Sequence, residues 1–403
     1  MKGPVRLVRS GQFEEYRHLG SLYEWSGEKA YLMIDRVSYR GKTGALLTYY
    51  NPPVHQVGNP GLDAYLSGLD RVFEQKEDLA FLLLYGANDP VHAGGDLKES
   101  LEKLDRTLEK KKALTAEGAS PEEIDRLFDW ADKRLEKGIA LHGKVRKIAR
   151  HMRVVAVCGG GTRFGGSAEI PLMADVLVGD SRSGMCFSEA MIGLIPGWGG
   201  IARALVKAGP LNAAFMAKTS TEVKAEDLKA VGIYNEVAEV PFPFPRRPGT
   251  GDAAADRAAY LEALAAHDRD TGRLLLPRAL ALAVCPADEI PSVEAADRRL
   301  LSTEEEISRQ VAARSNPENY AHIRGKRLRD VKDDIARLGR PLAPQSIAAL
   351  NRLLDGFDAA AFDEFEFVER EMKADAGLYR DARFRRGLVA TLEQTVADYR
   401  EDS

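Results

Sequence analysis

The chain is poor in cysteine and histidine. Its 403 residues include seven histidines and three cysteines, which are Cys158, Cys186 and Cys285. An odd and widely spaced set of cysteines excludes a regular disulfide framework, and neither residue type recurs at a spacing typical of metal ligands. We therefore predict no metal site and expect three reduced, buried thiols that serve as small core residues. His55 and His92 stand alone in predicted loops and are interpreted as polar loop residues.

The chain also lacks an excess of charge of either sign and any long apolar segment. It has 57 basic and 61 acidic residues and a net charge of −4, which favours neither nucleic acid nor an anionic membrane as a partner. The longest clean apolar run, Leu79–Tyr85, is too short to span a bilayer, and the first residues contain no apolar core of a signal peptide. These absences predict a cytoplasmic protein, and an apolar content of 44% predicts a globular one.

Short apolar runs alternate with segments of helical spacing. The runs Tyr31–Tyr39 and Ala45–Tyr50 flank a glycine-containing turn, which predicts a hairpin. The run Leu79–Tyr85 is typical of a strand buried on both faces of a parallel sheet. Further strands are predicted over 154–158, 174–178 and 232–240. Helices are predicted over 62–75, 100–114, 120–151, 211–216 and 225–230, and another is predicted to begin at about Gly166. The alternation predicts an α/β fold.

The composition changes after residue 240. Residues 241–251, PFPFPRRPGTG, are predicted to form an irregular linker because proline and glycine dominate them. Residues 253–340 have helical and charged character, and Pro277, Pro286, Pro291 and Pro317 are predicted to divide the helices. Two more helices are predicted at Pro344–Leu354 and Ala360–Met372. We therefore expect an N-terminal extension over 1–30, a core over 31–240 with a helical insertion at about 100–151, a largely helical insertion over 241–340 and a C-terminal helical region over 341–403.

Two glutamates lie among apolar residues in the stretch Val154–Gly200. Glu169 falls in the first turn of the helix predicted from Gly166, and Glu189 follows it beyond the next predicted strand. If neighbouring parallel strands lead to both, the two carboxylates could act as a general base and a general acid. The alternative is structural, with Glu169 as an acid favoured at a helix N-terminus and Glu189 as the partner of a buried arginine. The residues alone leave both interpretations open.

Two glycine-rich segments precede predicted helices. Gly94 and Gly95 form the first segment, and GGGTRFGG, which ends at Gly166, forms the second. Backbone N–H groups at such turns can stabilise an oxyanion, although ordinary turn chemistry explains either segment by itself. The second segment lacks the Lys-Ser/Thr ending of a phosphate-binding loop and does not match GxGxxG. Ser167 has no catalytic base visible in the sequence, so a serine nucleophile is not predicted.

Four segments together resemble the crotonase superfamily, which includes enoyl-CoA hydratases and isomerases. HAGGDLKES at 92–100 and VCGGGTRFGGSAE at 157–169 resemble its two oxyanion segments, the second with its following glutamate. FSEAMIGLIPGWGG at 187–200 resembles its block of an acid followed by glycines, and GIYNEVAE at 232–239 resembles its closing strand. Their order and spacing fit the family over 31–240, and the tail over 343–399 resembles its C-terminal helical region.

The resemblance implies an α/β fold of repeated ββα units, with a helical C-terminal region and a large helical insertion, that binds a CoA thioester. It implies that the N–H groups of Gly95 and Gly166 hold the thioester carbonyl oxygen and stabilise an enolate. It also implies that Glu169 and Glu189 hold one water molecule between them and that one glutamate delivers a proton to the α-carbon. Contacts with the substrate's CoA portion are expected from Ala93, Asp96, Leu97, Val54 and Gln56. No separate cofactor is expected, because CoA is part of the substrate.

The presence of both glutamates favours addition of water to an α,β-unsaturated acyl-CoA. The extra residues at 100–151 indicate an unusual acyl group, because this region borders the acyl pocket in the family. The alternative reaction is C–C bond hydrolysis that opens the ring of a cyclic oxo-enoyl-CoA with the same carboxylates. A thioesterase or an isomerase would not obviously need both acids, and a non-catalytic CoA-binding protein would need neither. Family members are usually trimers or dimers of trimers, so we expect a homo-oligomer of that kind.

Overall fold

The chain divides into two units, each built from three segments. Unit 1 comprises Met1–Gly94, Ala140–Cys186 and Glu222–Arg299, and unit 2 comprises Gly95–Ile139, Phe187–Thr221 and Leu300–Ser403. The computed structural model describes residues 4–10, 13–355 and 357–400. Residues 1–3, 11, 12, 356 and 401–403 belong to the predicted N-terminal extension and C-terminal region and lie outside the described residues.

The strands of the described residues all lie in unit 1. In chain order they are β1 (Tyr16–Ser26), β2 (Tyr31–Tyr39), β3 (Lys42–Tyr50), β4 (Phe81–Tyr85), β5 (Val91–His92), β6 (Arg153–Cys158), β7 (Thr162–Phe164), β8 (Val176–Asp180), β9 (Gly184–Cys186), β10 (Val223–Lys224) and β11 (Glu236–Ala238). The main sheet has the order β1-β2-β3-β4-β6-β8-β11, and a smaller sheet has the order β10-β9-β7-β5.

The main sheet is antiparallel at one side and parallel over the rest. β1, β2 and β3 pair antiparallel, whereas β3, β4, β6, β8 and β11 run parallel. Leu82 pairs with Val154 and Leu84 with Ala156, and all four are buried, as expected for a parallel sheet covered on both faces. Parallel pairing brings the carboxyl ends of β4 and β6 to one edge of the sheet, and the two glycine-rich segments follow from that edge.

The predicted hairpin is confirmed by β2 and β3. Strand β1, in contrast, lies within residues 1–30, for which no strand is predicted. Its side chains are mostly polar and at least partly exposed, and Tyr16 is the buried exception. β1 is an edge strand that is held by its pairing along β2 rather than by an apolar pattern of its own.

The helices connect and cover these strands. In chain order they are α1 (Pro4–Arg9), α2 (Asn59–Glu74), α3 (Leu97–Ala116), α4 (Pro121–Asp125), α5 (Asp129–Ala149), α6 (Gly166–Leu172), α7 (Gly200–Ala208), α8 (Pro210–Thr219), α9 (Ala225–Ala230), α10 (Ala253–Val284), α11 (Glu304–Ser315), α12 (Lys332–Leu338), α13 (Pro344–Leu354), α14 (Glu364–Leu378) and α15 (Ala382–Glu393). Unit 1 contains α1, α2, α6, α9 and α10, α5 contributes to both units, and the others belong to unit 2.

Helix α10 belongs to the core of unit 1, although it falls in the predicted insertion over 241–340. Its residues Leu276 and Leu280 pack in one apolar cluster with Val155 and Val178 of the parallel strands. The prediction that Pro277 divides the helices is wrong, because Pro277 lies inside α10. Proline removes one helical hydrogen bond, but burial of the flanking apolar residues against the sheet offsets that loss.

Two predicted helices, one beginning at Ser120 and one at Ala360, have different bounds in the structure. The capping box at Ser120 is confirmed, since Ser120 accepts from the Glu123 N–H and the Glu123 carboxylate accepts from the Ser120 N–H. The helix that it begins is short, however, and a 3₁₀ turn at Arg126–Phe128 separates it from α5. The helix predicted at Ala360–Met372 begins later, at Glu364, where the Asp363 side chain caps it.

Cys158 and Cys186 are buried, as expected, but Cys285 is partly exposed at the end of α10. The thiol of Cys285 donates to the Leu282 carbonyl oxygen at 3.6 Å. Within the described residues, no helix combines the length and the apolar character needed to cross a membrane.

Candidate active site

The first glycine segment, Ala93–Gly95, follows β5 and is fixed by backbone hydrogen bonds. The N–H of Ala93 donates to the Val54 carbonyl at 2.8 Å, and the N–H of Val57 donates to the Gly94 carbonyl at 2.7 Å. The loop that carries Val54 and Gln56 is therefore attached to the glycine segment. The Gln56 carbonyl oxygen accepts from the Tyr49 hydroxyl and the Asn51 amide, which hold this loop from its other side.

Gly94 brings the first glycine segment into close contact with the second. Its φ is +74°, and a Cβ added to it would lie 2.5 Å from the Phe164 carbonyl oxygen and 3.4 Å from the Gly166 nitrogen. The N–H of Gly94 donates to Ser167 Oγ at 3.0 Å. Only a residue without a side chain fits this backbone and this approach.

We expect Gly94→Ala to lower the free energy of unfolding by about 2–4 kcal/mol, because it adds steric overlap to left-handed strain. Gly41→Ala is a matched control, since Gly41 has the same φ of +74° and no atom within 4 Å of an added Cβ. That control adds only the backbone strain, so its free energy of unfolding should fall by about 1 kcal/mol. Urea denaturation measures both changes, and equal losses would contradict a rigid contact between the two glycine segments.

The two amides assigned to an oxyanion hole have no acceptor of their own. Among the described residues, neither the N–H of Gly95 nor that of Gly166 donates to a protein atom. Gly166 is the first residue of α6, and Gly165, with φ of +51°, turns the chain into that helix. Gly95 belongs to unit 2 and Gly166 to unit 1. Each amide can therefore donate to a ligand without breaking an internal hydrogen bond.

Glu169 is held in the first turn of α6. Its backbone N–H donates to the Gly165 carbonyl at 3.1 Å, and its side chain is 3% exposed. The neighbours Ala168 and Ile170 are buried as well, and α6 packs against β6 and β7. The prediction that Glu169 follows a helix start at Gly166 is confirmed. A carboxyl group at this position has an apolar setting and lies close to the helix N-terminus.

Glu189 begins a 3₁₀ turn in unit 2 that the C-terminal region holds in place. Its side chain is 8% exposed, and its carbonyl accepts from the Ile192 N–H at 2.9 Å. The N–H of Ala343 donates to the Ala190 carbonyl at 2.8 Å, and the Tyr399 hydroxyl donates to the Met191 carbonyl at 2.6 Å. The position of Glu189 thus depends on residues far along the chain.

The Pro-Gly-Trp-Gly-Gly turn after Glu189 is fixed by two buried acids of α14. The Glu371 carboxylate accepts from the N–H groups of Gly199 and Ala202, at 3.1 and 2.6 Å. The Asp375 carboxylate accepts from the Ile195 N–H at 2.9 Å. The Glu371 carboxylate thus satisfies amide groups at the start of α7 that the helix itself leaves without an acceptor, and Asp375 holds the chain before the turn.

The remaining predicted contact residues begin α3. Asp96 caps this helix, because its carboxylate accepts from the N–H groups of Lys98 and Glu99, both at 3.1 Å. Leu97 is the first helical residue and is partly exposed. Of the nine predicted site residues, unit 1 holds Glu169, Gly166, Ala93, Val54 and Gln56, and unit 2 holds Glu189, Gly95, Asp96 and Leu97.

A buried arginine borders Gly95 within unit 2. A Cβ added to Gly95 would lie 2.8 Å from Nη2 of Arg134, a residue of α5. The Arg134 guanidinium also stands 5.4 Å from the centre of the Trp198 ring. Gly138, one turn further along α5, allows this packing, since a side chain there would overlap Trp198. The helical region at 100–151 therefore brings a cation to the first glycine segment, which the sequence did not indicate.

A polar cluster in the interior of unit 1 has no signal in the sequence. His55 has a positive φ of +50°, is buried, and bonds Asp89 Oδ2 through Nε2 at 2.6 Å. Its Nδ1 accepts from the Asn51 N–H, so Nε2 is the protonated nitrogen and donates to Asp89. His92 stacks beside His55 with ring centres 5.2 Å apart. His55 lies in a loop, as predicted, whereas His92 ends strand β5, and both are buried in the core.

Helix α10 extends this cluster with a carboxyl group. Asp268 Oδ1 accepts from the backbone N–H of Asn88 at 2.7 Å and from its side-chain amide at 3.0 Å. Burial, together with the nearby Asp89, raises the pKa of Asp268 to about 8. Burial and the charge of Arg163 hold the pKa of His92 well below its usual range, so this ring is neutral.

Three comparisons with known proteins agree on one family. Residues 137–241 match the enoyl-CoA hydratase/isomerase family. Over 201 residues, 50% of this chain and 62% of the relative, the sequence is 24% identical to a probable mitochondrial enoyl-CoA hydratase of Dictyostelium discoideum. Over 80 residues, 20% of this chain and 28% of the relative, it is 31% identical to a mitochondrial enoyl-CoA hydratase of Pongo abelii. The crystal structure of an enoyl-CoA hydratase from Rhodobacter sphaeroides 2.4.1 has a similar fold, with a TM-score of 0.56 and 15% identity over 89% of this chain and 90% of that one.

These findings support the resemblance of this chain to the crotonase superfamily. The α/β fold with a parallel-rich sheet and a helical C-terminal region is confirmed as a crotonase fold. The segment that matches the crotonase family, 137–241, contains Gly166, Glu169 and Glu189, whereas Gly95 precedes it. Less than two thirds of either matched relative's length is covered by this chain, and both relatives are named as mitochondrial. The cytoplasmic location stays a prediction for this chain.

Proposed function

We propose that this protein adds water across the double bond of an α,β-unsaturated acyl-CoA. The observation that carries the proposal is the pair of glycine amides, Gly95 and Gly166, that have no acceptor among the described residues. Such amides suit a thioester oxygen that gains negative charge, because no internal hydrogen bond is lost when they bind it. The match of residues 137–241 to the enoyl-CoA hydratase/isomerase family and the two buried carboxylic side chains, Glu169 and Glu189, support the same chemistry.

In the proposed reaction, the water oxygen forms a bond to the β-carbon while a glutamate carboxylate accepts the water proton. The electron pair of the double bond moves toward the α-carbon, and the negative charge is shared with the thioester oxygen held by Gly95 and Gly166. The other glutamate, as an acid, then protonates the α-carbon, so that one water is added in total. CoA stays attached throughout, and the reaction requires no metal and no further cofactor.

The proposed roles of Ala93, Asp96, Leu97, Val54 and Gln56 are contacts with the CoA portion of the substrate. Asp96 would act there mainly by fixing the start of α3, since its carboxylate is already engaged by two backbone N–H groups. Val54 and Ala93 would act together because a backbone hydrogen bond joins them. We retain a trimer or a dimer of trimers as the proposed assembly.

The second candidate is opening of a cyclic oxo-enoyl-CoA by C–C bond hydrolysis. The position of Arg134 beside Gly95 favours an acyl group that carries an additional oxygen. A guanidinium binds carboxylate and carbonyl oxygens well, and both occur in the substrate and product of such a ring opening. The two candidate reactions share the same glutamates and differ in the acyl group.

Product analysis separates the candidates. The full chain is incubated with crotonyl-CoA and, separately, with a cyclic enoyl-CoA and its oxo derivative, and the products are identified by mass spectrometry. Hydration predicts the gain of one water with CoA retained and the carbon skeleton intact. A ring-opened product with a new carboxylate would favour the second candidate. Release of free CoA, or a shifted double bond without a change in mass, would contradict the proposed hydration.

A further inference from the structure

A partly open cavity of about 70 Å³ is lined by residues of unit 1 alone. Residues with polar side chains in its lining are Tyr49, His55, Tyr65, Tyr85, His92, Arg163 and Ser167, and most of the remaining wall is apolar. One water needs about 10–15 Å³ by this measure, so the cavity has room for a molecule of several heavy atoms. No acidic residue belongs to the lining within the described part of the chain.

The cavity is separate from the proposed reaction site. Ser167, Ile170 and Pro171 of α6 line it. Because residues of an α-helix are spaced by about 100°, these three share one side of α6 and Glu169 points to the opposite side. None of the nine residues assigned to the proposed reaction or to CoA lines the cavity.

Arg163 is a buried cation without a carboxylate partner among the residues that the structure describes. Its side chain, 5% exposed, bonds the backbone carbonyls of Gly159 at 3.0 Å and Ala87 at 3.5 Å. An arginine has five N–H donors, so most of them remain available to the cavity. Burial of a guanidinium is unfavourable unless a negative charge compensates it. The site therefore favours a ligand with an anionic, planar group that matches the guanidinium fork.

His92 supplies the complementary acceptor. Its side chain is 5% exposed, and its Nε2 has no hydrogen-bond partner among the described residues. The ring also forms a hydrogen bond with the backbone of Asp89, and Nδ1 is the nitrogen left to donate it. Because His92 is neutral, Nε2 carries a lone pair and accepts a hydrogen bond. A ligand next to Arg163 thus satisfies both residues if it also carries a hydroxyl group.

We propose that this cavity binds one small planar oxyanion with a hydroxyl group, the chemistry of hydrogencarbonate. Its two anionic oxygens accept from Arg163, and its hydroxyl donates to His92 Nε2. Through the Ala87 and Gly159 carbonyls, Arg163 joins the loop after β4, which leads to the first glycine segment, to the start of the second glycine segment. The bound anion therefore stabilises the loops that lead to the proposed oxyanion amides.

Binding is tested on the full chain without reference to its enzymatic activity. The melting temperature is measured against sodium hydrogencarbonate at constant ionic strength, with sodium formate and sodium chloride in parallel, at a pH where hydrogencarbonate predominates. We expect a saturable rise of about 2–5 °C with hydrogencarbonate, a smaller rise with formate, which lacks the hydroxyl, and none with chloride. ¹³C NMR of labelled hydrogencarbonate should show saturable broadening by the protein.

Variants assign the binding to the cavity. Arg163→Met should abolish the rise, and His92→Phe should make hydrogencarbonate and formate equal. Arg153→Met is the matched control, because Arg153 also bonds backbone carbonyls, those of Leu282 and Cys285, and does not line the cavity. It should retain the effect. If the cavity variants do not fold, the ¹³C NMR measurement with labelled hydrogencarbonate and the wild-type protein still tests binding. Absence of saturable binding, equal effects of all three salts, or binding unchanged by Arg163→Met would overturn the proposal.

Discussion

Replacing either Glu169 or Glu189 by glutamine is expected to reduce kcat for hydration by about 10²–10⁴-fold. Glutamine has nearly the size of glutamate but can neither accept the proton of the attacking water nor give a proton to the α-carbon. Both side chains are buried, at 3% and 8% exposure, so bulk water cannot easily replace the missing group. Conversion of crotonyl-CoA, or of the better substrate found by product analysis, measures the loss.

The matched control for this pair is Glu99→Gln. Glu99 is a partly buried glutamate in the first turn of α3, where it bonds Lys103 at 2.6 Å. It has no assigned role in the reaction, so kcat should stay within a factor of about two of the wild type, as for most surface substitutions. Full activity of both Glu169→Gln and Glu189→Gln would refute the paired-acid mechanism. Loss in one variant alone would point to single-acid chemistry such as isomerisation or thioester hydrolysis.

The second large effect concerns the pH dependence of stability. Asp268 has a pKa of about 8 in the folded protein, against an ordinary value of 3.8, because it is buried beside Asp89. Between about pH 4 and pH 8 the folded state therefore keeps a proton that the unfolded state releases. Stability contributed by this group is present at low pH and is lost as the pH rises through that window, by about 1.4 kcal/mol per unit.

Asp268→Asn is expected to remove this slope. The amide oxygen can still accept from Asn88, and the variant carries no charge at any pH. Its free energy of unfolding should rise relative to that of the wild type by several kcal/mol between about pH 4 and pH 8. Urea denaturation at a series of pH values gives this difference. Asp270→Asn, on the exposed side of the same helix, should leave the wild-type pH dependence in place. If the stability of Asp268→Asn varied with pH in parallel with that of the wild type, the slope would not come from Asp268.

The sequence was sufficient for those parts of the fold that have a local signal. The apolar runs that became β4 and β6 predict buried parallel strands, and the capping box at Ser120 predicts a helix start. Both are short-range patterns of side-chain type, which need no knowledge of the rest of the chain. The same holds for Glu169, since the helix start at Gly166 and the buried setting are both visible within a few residues.

The parts that were missed depend on contacts between distant residues. Asn88 and Asp268 are 180 residues apart, and no pattern around either one indicates their hydrogen bonds. Pro277 resembles a helix breaker until the sheet that covers its helix is known. Arg163 lies in the short strand β7, and the residues next to it in the sequence do not indicate that its side chain is buried opposite His92. Long-range pairing and burial decide these features, and local propensity does not report either.

The hydrogen bonds that hold the turn at Glu189 also affect the order in which parts of the chain fold during synthesis. Tyr399 follows Met191 by 208 residues, and Ala343 likewise reaches back to Ala190. A nascent chain can form the sheet of unit 1 soon after residue 299 emerges from the ribosome, since domains fold in order of their appearance. The turn that carries Glu189 must wait for residue 399. A chain released early would therefore contain a folded sheet and one glutamate in place, while the other still lacked its support.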